Sequence, residues 1–177
     1  IEMHIVNATP KEISPTAEVY LEPAAAGSGT PQYADMFFFN NAKGLGKNYD
    51  GKNSGLPPMQ TTALDPDFAT LRSDFKIFGI TTHQHHLGVG VTVAKSTSAG
   101  QPGTTLFTNT NWSHPDLYRL PDDQPMTFKP GEGLRWVCTY NNTSSDYVRF
   151  GESGINDEMC IIWGYYYPSQ GFQVFWN

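Results

Sequence analysis

Three of the chain's five histidines fall within four residues, in Thr82-His83-Gln84-His85-His86-Leu87-Gly88. If the strand that follows already includes them, His83 and His85 point to one side and His86 to the other. The Cα atoms of the pair would then stand ~7 Å apart, close enough for two imidazoles to hold one metal ion. The competing reading is a polar strand end with partly exposed histidines, and the pair alone does not separate the two. The positioning element is expected in Val89-Gly90-Val91-Thr92-Val93, where Val89, Val91 and Val93 share one face of a period-2 strand.

The rest of the chain is punctuated in the same way. Met36-Phe37-Phe38-Phe39 reads as a buried strand, and Met3-His4-Ile5-Val6 and Ala17-Glu18-Val19-Tyr20-Leu21 as two more. Residues 70–80 carry another strand candidate, with Phe75, Ile77 and Gly79 on one face and Lys76, Phe78 and Ile80 on the other. Residues 104–107, 125–128, 134–140 and 160–167 follow, and Phe172, Val174 and Trp176 alternate at the end. Residues 40–59 form a long Gly/Asn/Pro-rich connection. No run has helical period with caps. Many short strands with Pro/Gly turns indicate an all-β fold, an antiparallel β-sandwich of jelly-roll type, in a single domain over residues 1–177.

With 38% hydrophobic and only 16% charged residues, the chain is expected to fold rather than stay disordered. A net charge of −6 without any Lys/Arg run argues against nucleic acid or an anionic membrane surface as partner. No stretch reaches the length of a membrane span. Cys138 and Cys160 lie in two strand-like runs, which favours a cross-strand disulfide over free thiols. Such a bond contributes on the order of 3 kcal/mol. It would place the protein in an oxidising compartment: secreted, periplasmic or at the cell surface. Ser113, His114 and Asp116 contain the letters of a hydrolytic triad, but side by side in a polar turn they lack its spatial logic.

A copper site built from imidazoles gains a softer donor from a Met thioether if it must hold Cu(I) as well as Cu(II). Met159, directly before Cys160, is placed for this, although a lone Met is ordinarily core filler. His83-Gln84-His85-His86-Leu87-Gly88 resembles the His-x-His motif of the type II, ascorbate-dependent copper monooxygenases, in their second domain. Cys138-Thr139-Tyr140-Asn141, Asp157-Glu158-Met159-Cys160 with Tyr165-Tyr166-Tyr167-Pro168, and the turn Pro130-Gly131-Glu132 are similar to further segments of that family, in order from about residue 70 to residue 168. The resemblance implies the family's antiparallel jelly-roll sandwich and one copper per chain on His83, His85 and Met159. It also implies a disulfide between Cys138 and Cys160, with His86 turned away from the metal. The implied reaction activates O2 at the copper and hydroxylates a C–H bond of a small-molecule substrate, with ascorbate or another reductant as electron donor.

Two departures qualify that expectation. The preceding domain, whose second copper relays electrons in the family, has no counterpart among these residues, so a separate electron-transfer domain or protein is expected. In the peptide-hydroxylating branch an Arg, an Asn and a Tyr hold a peptide carboxylate; here the corresponding positions, expected to face a substrate, are Thr81, Ile161 and Trp163. Without the Arg no bidentate partner for a carboxylate exists, which argues against a peptidyl-glycine substrate. The alternative is a non-catalytic extracellular module that binds copper or recognises a ligand, a metal-free sugar-binding sandwich included.

Overall fold

Strand signals broken every few residues by Gly or Pro leave little room for a helix. Among the described residues the chain makes only one short 3-10 turn, Lys43–Leu45. The structure is a computed structural model that describes residues 7, 9–23, 25, 27, 29–46 and 54–177. The chain divides into two units, residues 1–31 and residues 32–177.

In the first unit the described residues are exposed and irregular. Ala17-Glu18-Val19-Tyr20-Leu21, expected as a strand, is not one; Tyr20 and Leu21 are largely exposed. A strand requires a neighbour for its backbone N–H and C=O groups, and among the described residues this run pairs with none. The companion expectation at residues 3–6 lies outside the described residues.

The second unit is an all-β sandwich of two sheets. One has the order β11 (Gln173–Trp176), β1 (Asp35–Asn40), β10 (Ile161–Tyr167), β4 (Lys76–His83), β7 (Tyr118–Arg119), with β8 (Met126–Thr127) also on β4. The other runs β2 (Gln60–Ala63), β9 (Gly133–Asn142), β5 (Gly88–Ser96), β6 (Thr104–Asn109), with β3 (Asp67–Thr70) also on β9. The pairings are antiparallel apart from β1 with β11. Phe37, Phe39, Ile77, Ile80, Ile162 and Tyr166 from the first sheet meet Val91, Val93, Leu134, Trp136 and Tyr140 from the second in one buried core. Cys138 on β9 and Cys160, just before β10, form a disulfide with a Cα–Cα distance of 5.9 Å. Their strands belong to different sheets, so the bond ties the two layers together instead of joining strand neighbours.

Two alternations depart from the sequence expectation because of bulges, and a third, at the end of the chain, holds with its named residues on the solvent side. The β4–β10 register slips between Tyr165 and Tyr166, so Phe78 is passed over and Ile80 joins Ile77 in the core. The β5–β9 register slips between Gly88 and Gly90, which turns Val89 outward while Val91 and Val93 remain buried. At the end of the chain Phe172, Val174 and Trp176 face outward, and it is Phe175 that packs against the core.

Candidate metal centre

The histidines do not share one strand with the valines after them. β4 ends at His83, residues 84–87 make a tight corner, and β5 then begins in the other sheet. The corner is closed by Gly88 N–H donating to the His85 carbonyl at 3.0 Å. It is fastened to β9 from both sides: Gln84 Nε2 donates to the Thr139 carbonyl at 3.1 Å, and Asn141 N–H to the Leu87 carbonyl at 2.8 Å. Residue 88 must be glycine for this, because a Cβ there would lie 2.6 Å from Gln84 Cβ.

Within the corner the expected pair is nevertheless brought together. The His83 and His85 rings stand with centroids 5.1 Å apart and planes at 84°. His85 is buried, and its Nδ1 lies 2.8 Å from the Asp157 carbonyl. A carbonyl can only accept, so Nδ1 carries the proton and the Nε2 lone pair is left for a ligand. His86, by contrast, is exposed, with its Nδ1 3.1 Å from the Gly154 carbonyl.

The Met159 segment leads into β10. The register of β4 with β10 sets Ile161 opposite His83, Ile162 opposite Thr82 and Trp163 opposite Thr81. Residues directly opposite present their side chains to one face. Ile162 points into the core, so by alternation Ile161 and Trp163 belong to the outer face with His83 and Thr81, and Met159 lies two residues before the strand begins. Met159 is held at both ends of its peptide unit: its N–H donates to the Glu158 carboxylate at 3.3 Å, and its carbonyl accepts from the Tyr140 hydroxyl at 2.7 Å.

Glu158 is a residue to which the sequence analysis assigned no separate role. It is fully buried. Oε2 accepts the His85 N–H at 2.8 Å as well as that of Met159, and Oε1 accepts the Leu87 N–H at 2.7 Å. Burial pushes its carboxyl up to about 7, against the opposing pull of those three N–H groups. The Tyr140 phenol is raised well above its ordinary range, first by burial and then by the Glu158 charge.

The three positions expected to face a substrate differ from one another. Thr81 is buried, and its hydroxyl donates to the Asp116 carbonyl at 2.9 Å. Ile161 is 2% exposed. Trp163 is half-buried on the open part of the face, beside Tyr165 with ring centroids 5.8 Å apart and opposite Phe38. Next to Ile161 in register stands Asn40, fully buried, with neither carboxamide atom hydrogen-bonded to the protein.

Comparison with known proteins gives a consistent answer. The family model described as the C-terminal domain of the copper type II ascorbate-dependent monooxygenases matches residues 58–175. Tyramine beta-hydroxylase of Caenorhabditis briggsae is 29% identical over 140 residues, covering 73% of this chain and 23% of that protein. Dopamine beta-hydroxylase of Rattus norvegicus is 26% identical over 127 residues, covering 67% of this chain and 20% of the other. The chain therefore spans about a quarter or less of the length of these relatives.

Proposed function

Because the chain belongs to the family of the C-terminal domain of the copper type II ascorbate-dependent monooxygenases, we propose that it binds one copper ion through His83, His85 and Met159 and serves as the oxygen-activating part of a C–H hydroxylase. The observation that carries this is the perpendicular histidine pair, 5.1 Å between ring centroids, with His85 Nδ1 tied to a carbonyl so that Nε2 is the free donor. Among the described residues no group of three His, Cys, Asp or Glu side chains converges on one point. The third donor we propose is the thioether of Met159, whose backbone carbonyl accepts from the Tyr140 hydroxyl. Two imidazoles with one thioether suit an ion that alternates between Cu(I) and Cu(II), and three protein donors leave positions open for dioxygen and solvent.

When bound, copper supplies one-electron chemistry towards dioxygen. Overall the reaction converts R–H, O2, two electrons and two protons into R–OH and water, so a reductant such as ascorbate is required. The chain's own residues hold the donors, through the Asp157 carbonyl on His85 and the Tyr140 hydroxyl on the Met159 carbonyl. The substrate approaches over the outer face of β4 and β10. There Trp163 is the accessible member of the trio with Thr81 and Ile161, and it favours a substrate with an apolar or aromatic part. None of the three positions carries a cation to hold a carboxylate. Both relatives are named as hydroxylases, which supports C–H hydroxylation. Since they are far longer, electron supply belongs to another part of a longer protein or to a partner. The disulfide favours an oxidising compartment, and among the described residues no helix is long and apolar enough to cross a membrane.

The test is copper titration of the wild type beside a His83→Ala/His85→Ala double variant, followed by ascorbate-dependent oxygen uptake with candidate substrates. One copper bound by the wild type and lost in the variant, with a hydroxylated product, is expected. Copper binding without turnover assigns a binding module instead. No copper in the folded wild type overturns the reading.

A further inference from the structure

Two segments far apart in sequence, the corner at residues 84–87 and the run Glu158-Met159 that precedes β10, meet on one carboxylate. Both Glu158 oxygens are used: Oε2 by the His85 and Met159 N–H groups and Oε1 by the Leu87 N–H. His85 and Leu87 lie in a corner where no strand ladder is available to satisfy these N–H groups, and the carboxylate takes that place inside the core. We propose that Glu158 is a positioning residue for the metal centre, a backbone clamp that sets His85 against Met159 so that imidazole and thioether converge on one ion.

The proposal rests on reading His83, His85 and Met159 as the copper ligands, but the clamp itself belongs to the metal-free protein. A glutamine fits the same space yet offers one oxygen and one NH2 group, so an N–H of the corner would face another donor. Groups that orient metal ligands from behind commonly alter metal affinity ten- to a hundredfold when replaced.

The experiment combines backbone amide hydrogen exchange in the metal-free full chain with Cu(I) and Cu(II) titration and Cu(I) X-ray absorption, for wild type and Glu158→Gln. In the wild type the His85 and Leu87 amides are expected to exchange slowly. In Glu158→Gln they are expected to exchange about tenfold faster or more, while the amides of the β5–β9 ladder are unchanged. Cu(I) affinity should fall about ten- to a hundredfold, and the sulfur contribution to the Cu(I) spectrum should weaken. A variant that keeps slow exchange, or keeps the copper affinity of the wild type, overturns the proposal. If Glu158→Gln does not fold, the wild-type amides decide: exchange as fast as in an exposed loop overturns the clamp, and protection supports it. Protected amides in a wild type that binds no copper would leave the clamp standing and remove the copper reading; copper binding with unprotected amides would do the reverse.

Discussion

β4 and β10 present two faces built from alternate residues of the same two strands, and the faces have opposite characters. Inward, Ile77, Ile80, Ile162 and Tyr166 fill the core, and Cys160 reaches the second sheet through its disulfide. Outward, His83 stands opposite Ile161, and Thr81 opposite Trp163, with Met159 two residues before the strand. The inner face is chemically uniform and closed. The outer face grades from buried Thr81 and Ile161 to half-exposed Trp163, and it carries His83 at the end of β4. One strand pair thus carries stability on even positions and chemistry on odd ones across residues 161–163. A one-residue slip would exchange the two, so the layers must be pinned where they meet.

The sharpest test of this division pairs Ile162→Ala with Trp163→Ala. Ile162 is fully buried, and its truncation removes core contacts and leaves a cavity, with an expected loss of about 2–5 kcal/mol in denaturant unfolding. Trp163→Ala is expected to cost well under that, because the ring is only half-buried, and to raise KM for an aromatic substrate while copper binding persists. Similar losses of stability in the two variants would mean that the outer face is structural and would remove Trp163 from the substrate surface.

The next effect in size concerns the pin. Cys138 and Cys160 are 22 residues apart and join the two sheets beside Met159. Replacing both by alanine is expected to lower stability by about 3 kcal/mol in the loop-entropy account. If the bond also fixes which face Met159 takes, the doubly substituted protein, kept at a temperature where it is still folded, loses Cu(I) affinity more than Cu(II) affinity. An equal change for both ions would confine the bond to a role in stability.

How much of this arrangement the sequence disclosed depends on range. The all-β class, most strands, and the grouping of His83 with His85 are local patterns and could be read directly. The disulfide was legible because two cysteines in strand-like runs leave one pairing, though not that it joins the layers. The faces were misread wherever a bulge intervened: Ile80 and Val89 each exchanged sides because one residue was passed over in the register. β2, β3 and β7 were missed because their short polar runs, such as Gln60–Ala63, become strands only by pairing with β9 or β4. Glu158 could not be read at all, since the N–H groups that give it meaning belong to residues 71 and 73 positions away.

The smallest expected effect separates the two faces by proton binding. Glu158 lies where the inner packing meets the histidine corner, and burial holds its carboxyl up to about 7. In the unfolded chain it returns to the ordinary carboxyl range. Between that range and about 7 the folded metal-free protein keeps a proton that the unfolded chain has lost, so this group's contribution favours folding most at low pH. That contribution fades as pH rises through the window and is gone above it. Asp67, also raised chiefly by burial, contributes in the same direction, while Asp35, Asp74 and Glu132 are lowered and act the opposite way at more acidic pH. The informative quantity is therefore the difference in melting temperature between wild type and Glu158→Gln, followed from about pH 5 to pH 8 without metal. The wild type is expected to lose ground relative to the variant as pH rises and then to level off. A constant difference would show that the three N–H groups outweigh burial, leaving Glu158 ionised throughout and the corner clamped by a full charge at every pH.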